Sequence, residues 1–152
     1  MGSWKQWSRA ALTAAALAVV LDLLGAGRIQ VTAYALSCPG LPEAFSGLKI
    51  ALITDLHGAF LEDGGQALAR AAAGADLIAI SGDLFDRDTH LEQVIPAIRS
   101  LCRMAPVYYV SGNHEWTVEG RREVWAQMEE AGAILLDHRW VTLERQGASI
   151  TL

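Results

Sequence analysis

The sequence predicts a layered α/β domain preceded by one apolar N-terminal segment. Short apolar runs of strand length alternate along the chain with segments of helical spacing, a pattern typical of α/β folds with a parallel sheet. Three of these runs end at polar clusters that contain Asp, His, Asn and Glu. The chain has 152 residues, of which 52% are hydrophobic and 19% charged, so a disordered or collagen-like chain is excluded.

The N-terminal segment has the composition of a membrane helix. Residues 10–26 are apolar apart from Asp22, and they follow a head that contains Lys5, Arg9 and two tryptophans. A helix of this length spans about 25 Å, just short of a hydrocarbon core. The segment is either the apolar part of a signal peptide, with a cleavage motif at 33–35, or an uncleaved anchor, which its length and flanks favour. The basic head predicts a single-pass protein of the cell membrane with its domain outside the cytoplasm.

The folded part is assigned to residues 28–152, after the segment that occupies residues 1–27. Residues 28–36 alternate as a strand does, and residues 37–47 hold two prolines and two glycines and form a loop. Apolar runs predict strands, and Ala-rich or amphipathic spacing predicts helices. The elements in order are strand 48–54, helix 61–73, strand 75–81, helix 90–104, strand 105–111, helix 122–132, and further strands in 133–137, 140–145 and 148–152. Pro96 either kinks the second helix or marks its true start.

Charge and cysteine content exclude some classes of function. Of the net charge of −5, residues 1–30 carry +2 and the remaining residues carry −7. An acidic folded part argues against a nucleic-acid surface, because phosphate binding needs a basic patch. Two cysteines are too few for a disulfide framework or a thiolate zinc site.

Polar clusters stand at the carboxyl ends of the first three predicted strands. They are Asp55-Leu56-His57, then Gly82-Asp83 followed by Asp86-Arg87, and finally Gly112-Asn113-His114-Glu115. Ligands of α/β sheets bind outside these strand ends, so we expect the clusters to converge. In extended backbone Asp55 and His57 point the same way and can bind one ion, while Asp83 can bridge two ions and Asn113 adds a neutral ligand. Carboxylate, imidazole and amide donors suit Mn, Fe, Zn or Mg.

The motifs D-x-H, G-D-x-x-D-R and G-N-H-E, in this order, resemble those of the calcineurin-like metallophosphoesterase family. The membrane-anchored bacterial branch is the most similar. The resemblance covers residues 28–152 and implies an αββα sandwich with two divalent metal ions. It also implies hydrolysis of a phosphomonoester or phosphodiester by a hydroxide that the two ions activate. The predicted anchor makes a lipid-linked or nucleotide-linked substrate our expectation.

The resemblance also implies residue roles. Asp55 and His57 would bind the first ion, Asp83 would bridge both ions, and Asn113 would bind the second. His114 would stabilise charge on the phosphate or protonate the leaving oxygen. Two supporting roles follow from the same motifs: Asp86 would orient His114, and Arg87 would brace the loop. Glu115 is expected to be positional.

The later motifs of the family, a lone metal-binding His and then G-H-x-H, are absent. After His114 the chain has only His138, and it stops inside an apolar run at residues 148–152. We therefore expect an N-terminal portion of a complete enzyme. Two alternatives stay open: a catalytically incompetent, membrane-attached remnant that binds metal weakly or not at all, and an unrelated α/β binding domain.

Overall fold

The structure, a computed structural model, describes residues 29–152, of which residues 31–152 form one unit. The predicted membrane segment, residues 10–26, lies outside the described residues. Within the described part of the chain, no helix is both long and apolar enough to span a bilayer.

A four-stranded parallel sheet forms the centre of the domain, and its strands lie side by side in the order of the chain. The strands are β1 (Ile50–Ile53), β2 (Leu77–Ser81), β3 (Val107–Val110) and β4 (Ile134–Leu135). The helices that connect them are α1 (Gln66–Ala71), α2 (Val94–Cys102) and α3 (Arg121–Glu130). Parallel neighbours need such crossovers, so the predicted alternation of strand and helix is confirmed.

The hydrophobic core lies between the sheet and the three helices. Helix α2 contacts both α1 and α3, so the helices pack side by side over one face of the sheet. Ile80, Tyr109 and Leu135 occupy one row across the strands and are all buried. Side chains of this size contribute about 1.5–3 kcal/mol each when fully buried. On the edge strand β1, Ile50 and Leu52 remain 52% and 66% exposed.

The first two helices begin later than predicted, for identifiable reasons, whereas α3 begins within one residue of its predicted start. The helix expected over 61–73 starts at Gln66, because Gly64 and Gly65 have positive φ and form a turn first. The Asp63 carboxylate accepts the backbone N–H of Gln66 at 2.8 Å and caps the start of the helix. Before α2 lies a 3₁₀ turn, so Pro96 falls in the first α-helical turn, where its missing N–H costs no hydrogen bond.

Two predicted strands differ from the structure. Residues 29–38 form no strand, and Val31, Tyr34 and Leu36 are largely exposed. Alternation makes a strand only where a neighbouring backbone pairs with it, and none does so among the described residues. The strand predicted over 133–137 shortens to the two residues of β4.

An antiparallel hairpin follows the parallel sheet. Its strands are β5 (Thr142–Arg145) and β6 (Ala148–Thr151), joined at Gln146-Gly147, where both φ angles are positive. Positive φ at both central residues is typical of a type I′ turn, which matches the twist of the strands. The described residues therefore give one helical layer, the parallel sheet and this hairpin. The second helical layer of the predicted αββα sandwich is not among them.

Candidate metal centre

The predicted ligands of the first ion meet at the carboxyl edge of the sheet. Asp55, His57 and Asp83 each offer a ligand atom, and these atoms all lie within 4.8 Å of one another. The pairing of β1 and β2 continues beyond the strands, because the Asp55 N–H donates to Gly82 O at 3.2 Å and the His57 N–H to Asp83 O at 2.9 Å. Backbone pairing thus brings two motifs together that lie far apart in the sequence.

The same three residues have left-handed backbone. Asp55, His57 and Asp83 have φ angles of 54°, 48° and 53°. Extended backbone, the basis for expecting Asp55 and His57 to point the same way, is therefore wrong, although both side chains do reach one site. Left-handed φ costs a residue with a Cβ about 1–2 kcal/mol, and such strain is concentrated at functional sites.

Asp83 connects all three motifs. Its carbonyl accepts the His57 N–H, its own N–H donates to Glu115 Oε2 at 2.9 Å, and its Oδ1 accepts the His114 N–H at 2.9 Å. The residue is only 8% exposed. Asp83 is thus held in place through its N–H, its carbonyl and its carboxylate.

Glu115 is completely buried among the loops that carry the ligands. Oε2 accepts the N–H groups of Asp83 and Gly112 at 2.9 and 2.8 Å, and Oε1 accepts the Leu84 N–H at 2.6 Å. The loops after β2 and β3 approach so closely that a Cβ on Gly82 would lie 2.7 Å from the Gly112 backbone. Glycine is required at this contact.

A second cluster lies beside the first and shares His57. Ligand atoms of His57, Asp86 and His114 all lie within 4.8 Å of one another, and the two imidazole rings meet edge to face with centroids 4.6 Å apart. Asp86 Oδ2 lies 3.3 Å from His57 Nδ1. Among the described hydrogen bonds Asp86 has no bond to His114, so the orientation of His114 by Asp86 stays a prediction.

Asp86 is held as an anion by its surroundings. Burial raises the pKa of Asp86, but hydrogen bonds from Thr89 and the Asp88 N–H, together with His57, outweigh this effect. The pKa of Asp86 therefore lies below its usual range. A carboxylate next to His57 favours the Nδ1–H form of that imidazole, which leaves Nε2 for a metal.

Asn113 is exposed at the end of the loop after β3. The backbone N–H groups on either side of it, of Gly112 and His114, donate to Glu115 and Asp83. In the same region the Arg87 Nε donates to Thr117 O at 3.2 Å and ties the loop after β2 to the 3₁₀ turn that follows His114. This contact is of the kind expected for a residue that braces the loop.

Two threonines that were not singled out in the sequence support acidic residues of the site. Thr54 Oγ1 donates to Asp55 Oδ2 at 2.6 Å, and Thr89 Oγ1 donates to Asp86 Oδ1 at 2.8 Å. Such partners orient a carboxylate. The sequence signal for such a support is a threonine one or three residues from an aspartate. This spacing is common in loops and does not identify a site by itself.

The donor set fits a divalent cation of hard or borderline character. Two carboxylates and one imidazole, Asp55, Asp83 and His57, leave further positions for water or substrate. A cleft of about 360 Å³ begins at Asp86 and is lined in part by Arg87, Thr117 and Glu119. The fold and the donors define an α/β protein with a metal-binding site at the carboxyl edge of its sheet.

Comparison with known protein families shows to which family the chain belongs. The family described as calcineurin-like phosphoesterase matches residues 48–146, and the chain therefore belongs to that family. The match covers β1 to β5 and all three motifs. Membership makes the protein a hydrolase that acts on phosphoester bonds. No curated protein matches the chain.

Proposed function

We propose that the protein hydrolyses a phosphomonoester or phosphodiester with two divalent metal ions. Asp55 and His57 would hold the first ion, Asp83 would be shared by both ions, and Asn113 would contribute to the second. The observation that carries the proposal is the convergence of Asp55, His57 and Asp83 within 4.8 Å in a calcineurin-like phosphoesterase domain.

The residues divide the chemistry between them. Divalent ions, when bound, supply Lewis acidity that activates water and offsets the charge of a phosphoryl group. His114 is exposed beside His57, where it can donate a hydrogen bond to a phosphoryl oxygen or a proton to the leaving oxygen. The Asp86 carboxylate, 3.3 Å from His57 Nδ1, orients the His57 ring and through it the neighbouring His114.

The proposal also covers the location of the protein, the class of its substrate and the second sheet of its fold. Residues 10–26 anchor the domain on the outer side of the cell membrane, which favours a lipid-linked or nucleotide-linked phosphate as substrate. The exposed Ile50 and Leu52 would be covered by the second sheet of an αββα sandwich. A reporter fused after residue 60 tests the topology, because a reporter active only in the cytoplasm would contradict the proposed orientation.

Asp83→Asn tests the metal-dependent function. The substitution removes the charge of the shared ligand, so we expect Mn²⁺ retained after dialysis to fall to near zero and hydrolysis of a chromogenic aryl phosphate to fall about 100-fold or more. Asp88→Asn, an exposed aspartate of the same loop, is the matched control. The family match already excludes an unrelated α/β binding domain. Undiminished metal and hydrolysis in Asp83→Asn would therefore overturn the assignment of Asp83 as a shared metal ligand. No Mn²⁺ binding by the unsubstituted chain would favour the incompetent remnant.

A further inference from the structure

We propose that Glu115 is a positioning residue whose buried carboxylate fixes the loops after β2 and β3, so that Asp83 and Asn113 face one metal ion. The inference rests on the proposed function, because it assigns Glu115 a part in building that site. Glu115 itself lies beneath the loops and is fully buried, so its influence on an ion would pass through backbone bonds.

The geometry of the bonds is specific to a carboxylate. Three backbone N–H groups, those of Asp83, Leu84 and Gly112, converge on its two oxygens at 2.6–2.9 Å. All three groups are donors, so every oxygen position must accept. A glutamine there would place an N–H₂ group against at least one N–H donor, and a buried donor without an acceptor is costly.

The bonds act on residues that hold or flank the predicted ligands. Two of the three join consecutive residues after β2, where Asp83 has a left-handed φ of 53°. Strained backbone persists only where its surroundings determine it strongly. The third bond fixes Gly112, which directly precedes Asn113. One side chain therefore sets the separation of two ligand-bearing loops.

The surroundings of Glu115 prevent it from relaxing elsewhere. The Tyr109 side chain is fully buried, its hydroxyl accepts the Trp125 Nε1–H at 3.3 Å, and burial, together with the charge of Glu115, raises the pKa of its phenol. The buried carboxylate thus lies between the amide groups of the loops and the buried Tyr109 side chain. A shift of Glu115 would disturb both.

Glu115→Gln in the full chain tests the inference through Mn²⁺ binding, measured by electron paramagnetic resonance of the free ion. We expect the dissociation constant to rise about 10-fold or more, the size of effect seen for residues that orient metal ligands. Hydrogen exchange at Asp83, Leu84 and Gly112 should become faster. Glu130→Gln, an exposed glutamate of α3, is the control for charge.

A second control separates positioning from stability. Ile98→Ala opens a cavity in the buried face of α2, so it lowers the melting temperature without touching the loops. We expect this variant, when folded, to bind Mn²⁺ as the unsubstituted protein does. Metal affinity that falls equally in Ile98→Ala and Glu115→Gln would overturn the inference.

The remaining outcomes are also decisive. Unchanged Mn²⁺ affinity in folded Glu115→Gln would overturn the role of Glu115 and leave the proposed function standing. No Mn²⁺ binding by the unsubstituted protein would overturn both. If Glu115→Gln does not fold, Glu115→Asp replaces it: the shorter carboxylate should give a smaller loss of affinity, and an unaltered affinity would refute the inference.

Discussion

The two sides of the candidate metal centre are held in different ways. On one side, Asp55 and His57 follow the edge strand β1 and have exposed side chains. Backbone bonds to Gly82 and Asp83 hold their loop. On the other side, Asp83 is buried, and the Glu115 carboxylate joins the loops after β2 and β3.

The difference shows that predicted ligands of one site can be held with different rigidity. Backbone pairing fixes where the first loop runs but leaves its side chains accessible to solvent and substrate. The buried bonds between the Glu115 carboxylate and backbone amides fix the loops after β2 and β3 more tightly, because hydrogen bonds to charged groups in a low dielectric are strong. We therefore expect substitutions on the buried side to change folding and metal binding together, and substitutions on the exposed side to change binding alone.

Gly112→Ala should give the largest effect on folding. A Cβ at Gly112 would lie 2.5 Å from Asp83 N and would collide with the Asp83 carboxylate. Asp83 cannot move away, because hydrogen bonds hold its N–H, its carbonyl and its carboxylate. We therefore expect the free energy of unfolding to fall by about 3 kcal/mol. Urea denaturation measures this.

The matched control for Gly112→Ala is Gly47→Ala. A Cβ at Gly47 meets nothing within 4 Å, although its φ is +73°. The cost there should be only that of left-handed backbone, about 1–2 kcal/mol. Equal losses in the two variants would show that the contact between the loops is not tight.

Alkaline pH should lower the free energy of unfolding through the buried side of the centre, by less than Gly112→Ala does. Burial, and then the charge of Glu115, raises the pKa of the Tyr109 phenol well above its ordinary value. The unfolded chain ionises near pH 10 while folded Tyr109 does not, so stability present below pH 10 is lost as pH rises further. Each pH unit above that value should remove about 1.4 kcal/mol of unfolding free energy for this one group.

Tyr109→Phe provides the comparison for this pH dependence. Urea denaturation at pH 9, 10 and 11 should show a smaller decline in the variant, because the group that resists ionisation is gone. Tyr34 is exposed and serves as the reference tyrosine in Tyr34→Phe, whose decline should match that of the unsubstituted protein. The same decline in all three proteins would contradict the assignment to Tyr109.

His57→Ala should have the smallest effect on folding. Its side chain is 37% exposed, and its described side-chain contacts are with Asp86 and the His114 ring. We expect the free energy of unfolding to change by about 0.5 kcal/mol or less, while Mn²⁺ binding is lost with the ligand. A large loss of stability would mean that the two sides of the centre do not differ as described.

Much of this fold follows from the sequence because its strands are apolar over their whole length. The predicted strands 48–54, 75–81 and 105–111 contain β1, β2 and β3, since buried parallel strands read as continuous hydrophobic runs. Residues 28–36 show the limit of the same reasoning. Their alternation is real, but a strand depends on a partner that the local pattern does not specify.

The convergence of three predicted ligands could be expected from the sequence, but the residues that support them could not. The motifs named Asp55, His57 and Asp83, and the structure brings them together. Glu115 was expected to be positional, but its partners lie 31 and 32 residues away at Leu84 and Asp83, a relationship that spacing does not encode. The left-handed backbone of Asp55, His57 and Asp83 is likewise not encoded in the spacing of the motifs.

The order of the strands has a consequence for synthesis on the ribosome. Since β2, β3 and β4 each pair with the strand made just before them, each of these three strands emerges beside a partner that is already present. Glu115 emerges only after β3, whereas the segment it fixes at Asp83 has long been released. The arrangement of the predicted metal ligands in the nascent domain therefore becomes final only after Glu115 has been released.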